Sequence, residues 1–320
     1  VKIVTSGSKA LLPLREALEA EGCITQPGPW KILESELPEI AAVVLEVYDA
    51  IRNPMGAIRL KQALRQHGIP LIGIDRDAPW HKGVRPWRLR LFNWLQLLDV
   101  YATHSLQGAD QFAAVPVYFP NAAWVSAYNL SGSSLQAFRA KSWYRVDVSF
   151  VGNLNADKYP EHRLRAAFFS ELARQLDALG ITHSFCNGDK MSVPEQVDLI
   201  QHSRININYG AACDDGRDRS WGLPERCYGV PACGGFLLSD ERRHAADDFV
   251  PGREWNAFTD LDHCVEMIRY YLAKPEQARD IAEAAHARVM RDHTYTSRAR
   301  QLIQLINDSR ARQIQRLQTK

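Results

Sequence analysis

The chain has 320 residues, of which 46% are apolar and 24% charged, the balance of a folded globular protein with enough length for two domain cores. Its formal net charge of +2 argues against a surface built throughout for polyanions, so no nucleic-acid partner is expected. No apolar run reaches the length of a bilayer span and no secretory signal is read at the start, which sets a cytoplasmic location as the expectation. Six scattered cysteines without a CxxC pair read as reduced thiols, and the ten histidines lack a tight ligand spacing, so no metal is expected.

In chain order, "VKIV" reads as a strand, followed by Ser8 and a helix with Leu11, Leu14 and Leu18 on one face, closed by Gly22. "AVVLEV" (42–47) has the length of a buried strand. Asn53-Pro54 then caps and opens a helix carrying Leu60 and Leu64 and stopping at Gly68. "PLIGID" (70–75), "DVYAT" (99–103) and "VPVYF" (115–119) are further strands, the last demoted by Pro116 to an edge position or to none. Residues 126–145 lack periodicity and read as the inter-domain connection.

A second alternation follows. "VDVSFVG" (146–152) is a strand, and the helix after it places Leu164, Phe168, Leu172, Leu176 and Leu179 on one face, ending at Gly180. "THSFCNG" is the next strand, then Ser192 to Glu195 form a capping box. "RININYG" (204–210) turns Ile205 and Ile207 inward. "LPERCYGVPACGGFLLSD" (223–240) reads as a helix returning into a buried strand, and helices over 261–274, 277–290 and 298–318 close the chain. Strands alternating with helices predict parallel sheets covered on both faces.

Ligands of such sheets bind beyond the carboxyl ends of the strands. That rule selects the turns at Thr5 to Ser8, Asp75 to His81, Gly152 to Lys158 and Tyr209 to Asp215. The first has a single glycine, Gly7, which either admits backbone N–H groups to an anion or makes an ordinary tight turn. In the second, Asp75, Asp77 or His81 is a candidate to deprotonate an acceptor hydroxyl. The basic-aromatic stretch that follows holds a phosphate, rests on an anionic membrane through Trp87 and Trp94, or is a solvated face behind a capping Asp75. In the third, Gly152 and Asn153 followed by Lys158 suit a diphosphate, or ordinary turn chemistry. Arg226 near a helix start is electrostatically out of place unless an anion docks there, and Gly234-Gly235 permits close packing or backbone approach to a ligand.

The set "LPERCYGVPACGGFLLSD", "PGRE" (251–254), "YYL" (270–272) and "HTYTSR" (293–298) resembles the C-terminal domain of the spore-maturation-type (CgeB-like) glycosyltransferases, bacterial group 1-like enzymes of GT-B fold. The resemblance covers about residues 146–305. It implies an α/β protein of two Rossmann-like doubly wound domains facing a central cleft: 1–135 on the acceptor side, 136–300 holding a nucleotide sugar, and 301–320 a helix crossing back to the first domain. It implies a metal-independent hexosyltransferase-like enzyme with no cofactor beyond its nucleotide-sugar substrate, acting on an unidentified acceptor. Arg226 would contact the diphosphate with Gly152, Asn153 and Lys158, and Gly7, Tyr209, Glu225, Gly234 and Gly235 complete the expected binding set. His293 and Tyr295 read as structural.

One position departs from the family pattern. Where it usually has Arg-x-x-Glu, with the glutamate on the ribose, this chain has Gly229. Glu225, one turn earlier, is an alternative source of that carboxylate. The missing acid keeps a second reading open, a non-catalytic nucleotide- or glycan-binding module that retains the fold. An epimerase or phosphorylase of the same fold is a third.

Overall fold

The computed structural model describes residues 1–77, 84–155, 160–210 and 222–318. The chain separates into two compact units, Val1–Pro120 with Tyr295–Lys320, and Asn121–Thr294. These divisions fall after Pro120 and before Tyr295, where the sequence places them at 135/136 and 300/301. The reason lies in residues 121–145, which attach to the second unit. Asn121 donates to Leu223 O at 2.9 Å, Tyr128 Oη donates to Gln196 at 2.8 Å, and Arg139 bonds Glu276, Asp280 and Glu283.

The first unit contains β1 (Lys2–Thr5), α1 (Leu12–Ala20), β2 (Ile24–Pro27), β3 (Ile40–Glu46), α2 (Val47–Arg52), α3 (Pro54–Gln66), β4 (Leu71–Asp75), α4 (Pro86–Trp94), β5 (Val100–Thr103) and β6 (Pro116–Tyr118). Its six strands are parallel in the order β2-β1-β3-β4-β5-β6. β6 is an edge strand, where a residue without an N–H such as Pro116 costs no ladder bond to a further neighbour. β2 is the opposite edge. Its partly exposed "ITQP" has no apolar run to reveal it, and pairing with β1 makes it a strand.

The second unit contains β7 (Val146–Gly152), α5 (Pro160–Ala178), β8 (His183–Asn187), α6 (Val193–Gln201), β9 (Ser203–Asn208), α7 (Arg226–Ala232), β10 (Leu237–Asp240), α8 (Ala245–Asp248), β11 (Asn256–Phe258), α9 (Leu261–Ala273) and α10 (Pro275–Asp292). Its strands are parallel in the order β11-β10-β9-β7-β8. The terminal helix α11 (Tyr295–Gln318) belongs to the first unit. There Arg298 Nε donates to Pro120 O at 2.8 Å, Gln301 to Tyr118 O at 3.0 Å, and Arg300 pairs with Glu21 at 2.9 Å.

Each sheet buries its apolar strands under helices, β3, β4 and β5 in one unit and β7, β9 and β10 in the other. The capping box of α6 is present, Ser192 and Glu195 serving each other's backbone N–H. On α5 the expected face is corrected at both ends. Leu164 and Leu179 are exposed, and the buried stripe is Phe168, Phe169, Leu172 and Leu176, with Arg165 at its head.

Candidate functional site

A doubly wound sheet opens a crevice where its strand order reverses. In the second unit the reversal lies between β7 and β9, the central pair from which β8 departs on one side and β10 and β11 on the other. Arg226, the first residue of α7, reaches back to this point. Its Nε donates to Val151 O at the end of β7 (2.9 Å), and its Nη1 to Asn208 Oδ1 at the end of β9 (2.5 Å). The guanidinium lies 4.5 Å over the ring of Phe150. Gly152 makes that placement possible, because a Cβ there would stand 2.5 Å from Arg226 Nη2. Nη2 itself has no hydrogen-bond partner among the described residues.

The neighbouring groups hold this arrangement in place. Asn208 donates its amide to Ser239 Oγ (3.0 Å) and Asp240 Oδ1 (2.8 Å), which turns its oxygen toward Arg226. Asp240, closing β10, accepts from Gly210 N at 3.0 Å and pairs with Arg242 at 2.7 Å. Burial first, and then the like charge of Arg165, draws the Arg226 pKa down to about 9, which still leaves it a cation at neutral pH.

Arg165 is the residue that sequence reasoning missed. Its side chain on α5, with the residue 5% exposed, donates from Nε to Tyr209 O (3.0 Å), from Nη1 to Asn153 O (3.0 Å) and from Nη2 to Gly210 O (2.9 Å). One guanidinium thus fixes the β7 and β9 exits together. The signal was an arginine at the head of the α5 apolar stripe, where an inward-facing charge needs partners.

The other expected site residues fall as follows. Asn153 stands at the β7 exit and donates to Asp189 at 3.0 Å. The Tyr209 ring stacks on Phe168 at 3.8 Å, and burial raises its phenol pKa, so its ring is partly committed to packing. Glu225 is the N-cap residue of α7, half-buried, and Gly229 one turn on is buried with no atom within 4 Å of where a Cβ would be. Lys158 and His81 lie outside the described residues.

Two expectations are corrected. Gly234 and Gly235 precede β10 and so sit at the opposite end of the sheet from the strand exits. A Cβ at Gly234 would stand 2.4 Å from Phe138 and one at Gly235 2.9 Å from Ile200, so close packing accounts for both. Asp75 closes β4 but is only 1% exposed. It accepts from Tyr101 Oη and from Asp77 N (3.0 Å), making it a buried turn cap instead of a reachable base. Burial and then the Asp75 charge push the Tyr101 phenol well above its usual range, so the proton stays on the tyrosine. Asp77, half-buried, remains beside it.

In the first unit the strand order reverses between β1 and β3. Gly7 is exposed there, while Ser6 takes Val44 O (2.9 Å) and accepts from Glu46 N (3.0 Å), tying the two exits together. Among the described residues no group of three His, Cys, Asp or Glu side chains is placed to hold a metal ion.

Two doubly wound parallel sheets, one crevice carrying a captive arginine, define the GT-B class of fold, and solved structures of that class match nearly the whole chain. Sucrose-phosphate synthase from Thermosynechococcus elongatus is similar over 96% of this chain and 98% of its own, with a TM-score of 0.64 at 11% identity. Anabaena Alr3699/HepE, solved in complex with UDP, covers 96% and 99% with a TM-score of 0.61 at 12% identity. A UDP-forming α,α-trehalose-phosphate synthase from Burkholderia xenovorans covers 96% and 98% with a TM-score of 0.59 at 12% identity. Residues 135–304, just over half of the sequence, match the family model described as glycosyl transferase-like, and the chain belongs to that family. No curated protein matches it.

Proposed function

We propose that the protein transfers a sugar from a nucleoside-diphosphate donor to a hydroxyl-bearing acceptor, and that within its family it is of the CgeB-like type. The observation that carries this reading is the Arg226 guanidinium at the β7–β9 reversal, crowded by Arg165 and with Nη2 left without a partner among the described residues. A diphosphate beside it would take up the unspent N–H groups and relieve the like-charge repulsion. In the reaction the same cation would stabilise the negative charge that builds on the departing nucleoside diphosphate as the glycosidic bond to it breaks. Backbone N–H groups after Gly152, with Asn153 and Lys158, would share that charge, and no bound metal is required for it. A uridine nucleotide is favoured because HepE was solved with UDP and with UDP-glucose.

Thermal stability in the presence of UDP, UDP-glucose and GDP, for the wild type and Arg226→Ala, tests the reading. Ligand at a hundred times its Kd stabilises by about 2.7 kcal/mol. The wild type should shift with at least one nucleotide and the variant should not, and a wild type indifferent to all three would overturn the proposal. EDTA should leave transfer unchanged. Gly229, bare where the family pattern has an acid, favours a second reading, a nucleotide-binding module without turnover. Binding of UDP-glucose with neither transfer nor slow hydrolysis would select it.

A further inference from the structure

The nine residues of α4 are apolar on two opposite faces. Leu89 and Phe92 point into the core of the first unit, packed with Tyr101 and Phe112 among others. On the other side Trp87 is 58%, Leu91 41% and Trp94 77% exposed. At 3.6 residues per turn these three fall within a wedge of about 60° on the helix surface. A surface helix normally turns one stripe inward and covers the other with polar groups. Here the outward stripe holds two of the largest apolar side chains, and no described residue accepts from either indole N–H.

The surroundings of the stripe say what covers it. Arg88 and Arg90 flank it on either side and make no ion pair among the described residues. The neighbouring acid on the adjoining segment, Asp110, receives Asn93 through its carbonyl on the far side of the helix from Trp87 and Trp94. Unpaired arginines beside an aromatic stripe complement a surface that is anionic outside and apolar within. Tryptophan suits that boundary because its ring is apolar and its N–H still finds water or a headgroup. The area argues against a protein partner. With 150–250 Å² per aromatic side chain, the exposed parts of the three residues amount to roughly 400 Å² at most, about half of what each side of a stable interface buries.

We propose that α4 seats the protein on an anionic lipid surface, Trp87, Leu91 and Trp94 entering the headgroup region and Arg88 and Arg90 facing lipid phosphates. No described helix is long and apolar enough to cross a membrane, so the contact is interfacial. It is independent of nucleotide binding, and its failure would leave the transfer reaction untouched.

Co-sedimentation with vesicles of phosphatidylcholine alone, and of phosphatidylcholine with one third phosphatidylglycerol, tests it. The wild type should pellet with the anionic vesicles and be released by high salt. Charge at such a surface is worth about fivefold in partitioning per arginine, so Arg88→Glu with Arg90→Glu should weaken binding by more than tenfold. Trp87→Ser with Trp94→Ser should weaken it at least as much. The tryptophan pair is exposed enough to keep the wild-type melting temperature. If half-buried Arg88 matters for folding, Arg90→Glu alone, at an exposed position, should still weaken binding by about fivefold or more. Trp30→Ser, which removes an exposed tryptophan elsewhere in the first unit, should change nothing. A wild type that stays in the supernatant overturns the proposal. So does equal loss with Trp30→Ser. So does a stripe variant that abolishes a concentration-dependent dimer in light scattering while vesicle binding persists.

Discussion

Gly229 is the sharpest place to test how α7 works. It lies inside the helix, donating to Glu225 O at 2.8 Å and accepting from Cys233 N at 3.1 Å, and its φ is not in the left-handed region. Glycine is therefore not required by its conformation, nor by space, since no atom lies within 4 Å of an added Cβ. Alanine costs a helix interior about 1 kcal/mol less than glycine, chiefly by narrowing the unfolded ensemble. Gly229→Ala should thus stabilise the protein by about 1 kcal/mol, a rise of roughly 2–4 °C in melting temperature for a unit of this size. Urea unfolding followed by tryptophan fluorescence should show a higher midpoint at unchanged slope. UDP affinity should stay within about twofold if the nucleotide does not touch this backbone. Destabilisation would show the space to be filled. Greater stability with lost affinity would show that the ligand lies against the bare glycine. Gly229→Glu extends the test: a carboxylate bonded to the ribose should tighten UDP by about fivefold, one net hydrogen bond, while costing stability without nucleotide.

Three further outcomes follow from the same geometry. Arg165→Met strands the carbonyls of Asn153, Tyr209 and Gly210 and should cost about 3–5 kcal/mol in urea, with loosened exits and weaker UDP binding. Wild-type stability would show that the three bonds do not hold the exits. Gly152→Ala puts its methyl 2.5 Å from Arg226 Nη2 and 2.6 Å from Phe150, so overpacking should cost about 1–3 kcal/mol and displace the guanidinium. An unchanged UDP affinity in that variant would separate Arg226 from the nucleotide. Burial pushes the Cys227 and Cys233 thiols up to about 12 from 9. Since folding favours their neutral form, that stability is complete below pH 9 and is lost as pH rises toward 12. In the native protein at pH 8, about where free thiols begin to ionise, mass spectrometry should find half-buried Cys186 alkylated well before either. Early modification of Cys227 would contradict its burial.

How much was legible depended on whether a signal was local. Central strands such as 42–46 and 70–75 are continuous apolar runs because helices cover both faces, and they can be read directly. β2 is an edge strand with little to bury, so only pairing with β1 defines it. Val47 reads as strand by composition, yet β3 ends at Glu46 and α2 begins there. Arg226 was visible because a cation at a helix start conflicts with the helix dipole. Arg165 was missed because the α5 stripe reads from Leu164, and the structure turns Leu164 out and the neighbouring arginine in.

The amino-acid order by itself determined that there are two successive strand–helix alternations, each with apolar runs to bury and glycines where the chain turns back. It determined Gly152 and Arg226 as residues in need of an explanation. Only the tertiary structure decided which strand exits meet, because sheet order is set by packing between segments far apart in sequence. Val151 and Asn208 become neighbours at the β7–β9 reversal, and Arg226 bridges them with one face of its guanidinium edge unspent. The same packing turned Asp75 inward to Tyr101 and left Trp87 and Trp94 outside. Periodicity shows that a residue has a buried or an exposed face, and long-range contacts choose which residues share it.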